Sequence, residues 1–419
     1  MYPTDPLPIS PIVQSLFKRM ARLSARRREN AYAVGGFVRD LILGRPSSDV
    51  DVAVEGDGLS YARDFARLVK GRCEAFTRFG TSIVVVPGFG KIDIATTRAE
   101  TYARPGVLPD VRPAPLADDL KRRDFTVNSI ALRLKVDGKS EWIDPANGAA
   151  DLASGVLRAH HPRSFEDDPT RIFRAVRFEQ RFGFVIDGPT QEWLADAVKR
   201  GLIERVSGER LRNELRLIFA EPQPEKAVRR LDEWGVWKHL HPRLNIEKVP
   251  DGIPDAVKTF GKSGVEEPWM IWFACLSSGL DEPQRAQLGA RLMLSGDEKK
   301  ILMQCGAPKE AARAALEAGQ APLSRVHPAL SPLRPEVWAW LWAESDANER
   351  QKVEVYVREA GSRKPILKGT DLSSMGWKPG PVFAKILTEA EGLQLDGVLA
   401  DRPAALAWLQ EKRRAKPPR

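Results

Sequence analysis

Cysteine is scarce. The 419 residues contain three, Cys73, Cys275 and Cys305. They lie too far apart for a metal-ligand spacing or a disulfide framework, so a reducing cytoplasm is the expected compartment. Histidine is also rare, at five residues. His239, His241 and His327 have no neighbouring aspartate, and no phosphohydrolase-type domain is expected. No apolar run approaches the roughly 20 residues of a membrane helix. The first residues, MYPTDPLPIS, lack a basic region followed by an apolar core, and no secretory signal is expected. The Walker pattern G-x-x-x-x-G-K-[ST] is missing, which excludes a P-loop. No tandem repeat suggests a solenoid.

What is present is positive charge. The formal net charge is +9, which favours an anionic partner, nucleic acid above all. The texture changes once along the chain. Up to about residue 160, short extended runs alternate with helical patterns. Strands are expected at 31–34, 49–54, 74–79, 82–86 and 91–96, and helices at 37–43 and 59–69. The proline-rich stretch 102–115 reads as a loop. Beyond residue 165 helical periodicity dominates, with breaks near 221–222, 252–254, 306–308 and 361–364. The tail EKRRAKPPR reads as a frayed basic end.

Chemistry concentrates in the first part. In a strand, residues two apart share a face. Asp49 and Asp51 therefore project together, while Val50, Val52 and Val54 point into a core. Paired carboxylates repel, and burial adds to the penalty unless a cation offsets it. Mg²⁺, which takes one or two carboxylates plus substrate phosphate, is the expected cofactor. Just upstream, Gly35 and Gly36 separate a strand from a helix, where backbone N–H groups favour phosphate. Arg39 lies about one turn into that helix. In KIDIATTR, Asp93 faces away from Ile92 and Ile94, and a neighbouring strand can bring it beside the first pair as a base or metal-ordering carboxylate. Together these point to phosphoryl or nucleotidyl transfer.

Two further segments carry arginine. DLKRRDFTVNSIAL (119–132) reads as the polar start of an amphipathic helix, with Arg122 and Arg123 as planar donors for phosphate and Asp124 and Asn128 as orienting groups. In FEDDPTRIFRAVRF (165–178), Asp168-Pro169 is a helix start. Arg171, Arg174 and Arg177 then recur every third residue as one basic row. In SGERLRNEL (207–215), Arg210 and Glu214 have the spacing of a simple ion pair.

The ordered set GGFVRDLILG…DVD, IDIATTRAE, DLKRRDFTVNSIA, IDPANGAADL, DDPTRIFRAVRF and SGERLRNEL resembles the class II tRNA nucleotidyltransferases. These are the CCA-adding enzymes of bacteria and eukaryotes and their bacterial poly(A) polymerase relatives. The resemblance spans roughly residues 30–220. It implies an α+β fold: a nucleotidyltransferase head with a mixed sheet (1–160), then an all-α neck (161–221), body (222–345) and RNA-binding tail (346–419). It implies a metal-dependent, template-independent enzyme that adds C, A or both to the tRNA 3′ end from CTP and ATP, releasing pyrophosphate. Asp49 and Asp51 match the metal ligands and Asp93 the third acid. Gly36, Arg39 and Arg123 match nucleotide-holding positions. Asp168 and Arg171 match the residues that pair with the incoming base, and Arg174 and Arg177 match further nucleotide contacts. One position departs from the family: Asp167 precedes Asp168 where glutamate is usual. KGTDLSSMGWKPGPVFAKIL (368–387) is similar to a tail element of some members. Two rivals remain, a poly(A) polymerase and an RNA-binding protein with an inactive head. The G-R-R-F signature associated with the first is absent.

Overall fold

The computed structural model describes residues 2–415 except 46–47, 77–78, 245, 251, 262 and 318–321. The last four residues of the basic tail, 416–419, therefore lie outside the described residues. The chain divides into two compact units, Met1–Glu214 with Glu225–His239, and Leu215–Pro224 with Leu240–Arg419.

In the first unit, α1 (Pro11–Arg27) precedes β1 (Asn30–Val34), α2 (Gly35–Ile42), β2 (Val50–Glu55) and α3 (Gly58–Leu68). Strands β3 (Arg72–Phe76), β4 (Thr81–Val86) and β5 (Gly90–Thr96) follow. Next come β6 (Arg98–Thr101), β7 (Asp110–Pro113), α4 (Leu116–Lys121), β8 (Ala131–Arg133) and β9 (Glu141–Ile143). A seven-stranded mixed sheet runs β3-β4-β5-β2-β1-β8-β9. Only the β2–β5 pairing among these is parallel, and it sets Asp51 directly against Asp93.

The alternation in β2 decides both faces of the sheet. Val50, Val52 and Val54 are at most 1% exposed, in the same core as Tyr61 and Phe65 of α3. On the opposite face, Leu116 and Leu120 of α4 pack with Tyr32, Val34, Ala53 and Ala131. The start of α4 is fixed by Glu55, whose Oε1 accepts the Leu116 amide at 3.0 Å while Oε2 accepts from Asn30 and Tyr32. From Asp51 to Glu55 the strand rises about 13 Å. From Leu116 to Lys121 the helix rises about 8 Å, and Arg123 lies two residues further on. An α4 anchored at Glu55 therefore ends where Arg123 meets Asp51.

Two sequence expectations change here. The stretch 102–115 is not all loop, since β7 pairs antiparallel with β6 from Thr101↔Asp110 to Arg98↔Pro113. Flanking prolines hide the short DVRP alternation, and Pro113 sits at a strand end where a missing N–H is tolerated. Nor does DLKRRDFTVNSIAL begin a helix. It ends α4, makes a 3₁₀ turn at Thr126–Asn128 and enters β8. Asp124 accepts from the Phe125 amide and from the Asn128 side chain, competing with a continuous helix.

The 3₁₀ turn is backed by α5 (Gly148–Ser154). Short strands β10 (Val156–Leu157) and β11 (Val185–Ile186) then bracket α6 (Ser164–Asp167) and α7 (Thr170–Phe182), and α8 (Gly188–Lys199) follows. The second unit is helical among its described residues. Its helix Pro268–Leu276 is buried from Trp269 to Leu276, and Trp269 and Trp272 stack on Phe219. A separate cluster of Leu367, Leu372, Trp377, Ile386, Leu399 and Leu409 holds the last three helices together. Among the described residues no helix is long and apolar enough to cross a membrane.

A Cβ added at Gly148 would collide with the Thr126 carbonyl oxygen. Gly148→Ala is expected to lower stability by about 1–3 kcal/mol, the usual cost of overpacking. Equilibrium denaturation measures the loss, and the displaced Asn128 turn should reduce turnover beyond the loss of folded protein.

Candidate active site

Asp51 and Asp93 sit side by side on parallel strands, and Asp49 lies exposed one residue before β2 begins. A cavity of about 440 Å³ is lined by Asp51, Asp93, Asp119, Arg122 and Arg123, among others. Burial, then repulsion from Asp49, pushes the Asp51 carboxyl up to about 6, although Arg123 opposes the shift. Burial and Asp49 raise Asp93 as well. Burial and mutual repulsion make charge on Asp51 and Asp93 costly, a site short of positive charge, which suits a cation. No three His, Cys, Asp or Glu side chains among the described residues close a metal cage. An ion here would take carboxylates from β2 and the residue before it and complete its shell with phosphate and water, as Mg²⁺ commonly does.

Gly35 lies close to Asp51 and Arg123 of this cavity. It has φ +66°, and a Cβ there would lie 3.0 Å from Arg123 Nη1 and 3.3 Å from Asp51 Oδ2. The position thus requires glycine for both conformation and room. Gly36 differs: a Cβ would meet only Arg39, at 3.5 Å.

The arginines divide into those facing the cavity and those holding it. Arg123 donates Nη2 to Asp119 at 3.0 Å and keeps Nη1 near Asp51. Arg122 lines the cavity too, but its donors are engaged: Nε on the Arg98 carbonyl and Asp119, Nη1 on Glu100, Nη2 on Asp119. Arg39 is 5% exposed. It donates to Asp40 and to Asn128 Oδ1 at 2.8 Å, with its guanidinium 5.1 Å from the Phe178 ring centre and 4.6 Å from that of Phe182.

The three arginines of α7 do not form one phosphate-facing row. Arg171 donates to Ser164 Oγ and the Arg122 carbonyl, both at 2.7 Å. Arg174 grips Asp124 Oδ2 with two bonds of 2.8 and 2.6 Å. Arg177 lies over the Phe178 ring at 4.8 Å. Asp168 starts α7 by accepting from the Thr170 amide and hydroxyl, and it also accepts from Arg210 at 2.6 Å. Arg210 thus serves Asp168 and the Gly106 carbonyl, not the expected pair with Glu214. Asp167 ends α6, with its carboxylate toward Arg163, while Glu166 reaches Arg200.

Asp119 was missed by the sequence reading. It is 1% exposed and accepts from Arg98, Arg122 and Arg123. Against the cost of burial, Arg123, then Arg122, hold its carboxyl below the usual range. Its signal was the spacing to arginines three and four residues on, which places all three on one helix face.

A mixed sheet that crowds carboxylates beside a glycine turn, backed by arginine, belongs to the nucleotidyltransferase class. Residues 31–158 match the family described as "Poly A polymerase head domain", and 183–247 match "Probable RNA and SrmB- binding site of polymerase A". An A-adding tRNA nucleotidyltransferase of Geobacter sulfurreducens is 36% identical over 88% of this chain, which spans 44% of that protein. One from Halalkalibacterium halodurans is 31% identical over 94% of this chain and 92% of its own length. A CC-adding relative from Deinococcus radiodurans is 31% identical, with 90% and 88% covered. Among solved structures, an apo CCA-adding enzyme superposes with TM-score 0.79 at 31% identity over 96% of each chain. The Thermotoga maritima CCA-adding enzyme complexed with tRNA does so with TM-score 0.71 at 28% identity, again over 96% of each. The chain belongs to the tRNA nucleotidyltransferase family.

Behind the Asp124 turn, His160 Nε2 lies 2.6 Å from Ser129 Oγ. Burial pushes this imidazole down to about 4; Asp124 opposes the shift, and Arg171 and His161 add to it. The folded protein therefore keeps His160 neutral while the unfolded chain takes up a proton near pH 6.5. Stability carried by His160 is present above pH 6.5 and is lost as pH falls towards 4. Thermal denaturation of wild type and His160→Gln across that window should show the steeper loss in wild type. Parallel curves would remove His160 from the pH response.

Proposed function

We propose that the chain transfers nucleotidyl groups from ATP, CTP or both to the 3′ end of tRNA, releasing pyrophosphate. The observation that carries this reading is the Asp51–Asp93 register with Arg123 and Gly35 beside Asp51. In this reading Asp49 and Asp51 hold Mg²⁺. When bound, the metal would lower the cost of charge on the attacking 3′-oxygen and the leaving pyrophosphate. Asp93 shares the carboxylate cluster and orients it. Arg123 and the Gly35-Gly36 turn receive the triphosphate. Asp168 and Arg171 present hydrogen-bonding groups to the incoming base. Arg39, Arg122, Arg174 and Arg177 hold these groups in place through the contacts described above. A tRNA would be read mainly by shape and backbone. The second unit, divided into body and tail, supplies the remaining surface, including the N-terminus of the helix Pro381–Leu395. A cytoplasmic setting fits this reading.

A addition is the step that A-adding and CCA-adding relatives have in common. The purified protein should therefore extend a tRNA transcript ending in CC when given ATP alone. Transcripts ending before the CCA or after the first C, given CTP, decide whether C addition is also present. Long A tails on unstructured RNA would instead identify a poly(A) polymerase.

Two substitutions separate chemistry from base choice. Asp51→Ala should abolish transfer of either nucleotide. Arg171→Ala should narrow the preference for the correct nucleotide more than it lowers the melting temperature, read from competing incorporation of ATP, CTP, GTP and UTP. Unaltered preference would exclude Arg171 from base reading.

A further inference from the structure

The second unit contains a buried guanidinium with no counter-ion among the described residues. Arg285, on the helix Glu282–Arg291, is 6% exposed. Its one hydrogen bond is a long 3.4 Å contact from Nη2 to the Ser278 carbonyl, its Nε has no partner, and no carboxylate among the described residues pairs with it. An arginine cannot shed its proton to relieve burial. A buried ion without its partner is among the costlier features a fold can carry.

The surroundings are built around this group. It lines a cavity of about 680 Å³ with Ser278, Cys305, Gly306, Lys309 and Arg313. Gly306 lies at the N-terminus of the helix Ala307–Glu317, whose first turn has amides with no partner inside the helix. A Cβ on Gly306 would sit 2.6 Å from Arg285 Nη1, so the missing side chain makes room for the guanidinium. The buried Ser278 hydroxyl, at the same cavity, also lacks a partner. Two carboxylates line the cavity as well, and both are committed. Glu344 takes Lys309 at 2.8 Å and Arg313 at 3.6 Å, and Glu310 takes Lys309 at 3.3 Å. Cys305 does not supply the anion, because burial pushes its thiol up to about 12.

We propose that this cavity binds a phosphate group between the Arg285 fork, the Ser278 hydroxyl and the first turn of the helix Ala307–Glu317. Arginine meets phosphate with paired N–H donors, and a helix N-terminus adds favourable dipole and free amides. The phosphate is either free in solution or carried on an RNA backbone. The inference does not depend on the chemistry at Asp51.

The test follows the melting temperature of the full-length protein in potassium phosphate against potassium chloride of equal ionic strength. Wild type should show a saturable rise with phosphate. Arg285→Met should be more stable than wild type without phosphate, because it removes an uncompensated buried charge, and should lose the phosphate response. Gly306→Ala, which displaces the guanidinium but keeps its charge, serves if Arg285→Met does not fold, and should also lose the response. A second arm measures tRNA affinity against salt. A slope lower by about one in the variant places the phosphate on RNA. An unchanged slope with a phosphate-dependent melting shift places it on the free ion. A response to phosphate that survives in the variants overturns the proposal. So does a wild type insensitive to phosphate whose tRNA salt slope matches that of Arg285→Met.

Discussion

The buried Asp124 carboxylate is the constraint around which the catalytic unit is arranged. Desolvation alone would protonate it, yet Arg174 and Asn128 hold it well below the usual carboxylate range. An ion pair taken this far from water is stabilising only when its geometry is good and its remaining lone pairs are met. Here Oδ2 takes two bonds from Arg174, and Oδ1 takes the Phe125 amide and Asn128. Asn128 is then oriented, and its carbonyl oxygen accepts Arg39. One carboxylate thus fixes α7 against the 3₁₀ turn and the turn against α2. The Asp168–Arg171 end of α7 is thereby placed relative to Gly35.

This arrangement explains why arginine is plentiful here and why few of the arginines face the cavity. Asp119 does for the end of α4 what Asp124 does for α7, setting Arg122 and Arg123 in one orientation. Arg122 in turn offers its backbone carbonyl to Arg171. A pocket for a polyanion needs cations that stay where they are when it is empty. Carboxylates buried behind them provide this without neutralising Arg123 Nη1, which remains beside Asp51. Preorganisation of this kind avoids reorganising charges during transfer.

Much of this was legible in the sequence where one period governs the outcome. Alternation in DVDVAV gave the shared face of Asp49 and Asp51 and the buried valines. Alternation in KIDIAT gave the face of Asp93, and only the parallel register had to come from the fold. Legibility was lower where side chains reach partners on other elements. The three-residue spacing of Arg171, Arg174 and Arg177 suggested a common row. Ser164, Asp124 and Phe178, on different elements or turns, draw them to separate contacts. The strand within 102–115 was hidden by prolines around four residues. The role of Asp119 needed α4 to be seen as a helix that ends, not one that begins, at KRR.

Asp51 and Arg285 both strain the rule that buried charge is compensated, and they do so with opposite signs. Around Asp51, burial and neighbouring carboxylates push the acid up to about 6. Around Arg285, a guanidinium that cannot lose its proton sits beside committed acids and an un-ionised thiol. At Asp119, Asp124 and Lys309 the same residue types are paired. Local consistency tends to fail where a site is prepared for a group that the chain does not itself contain. The acidic exception calls for a cation and lies where the triphosphate would arrive. By the same physical argument, the basic exception calls for an anion, and the helix N-terminus at Gly306 supplies donors that suit phosphate.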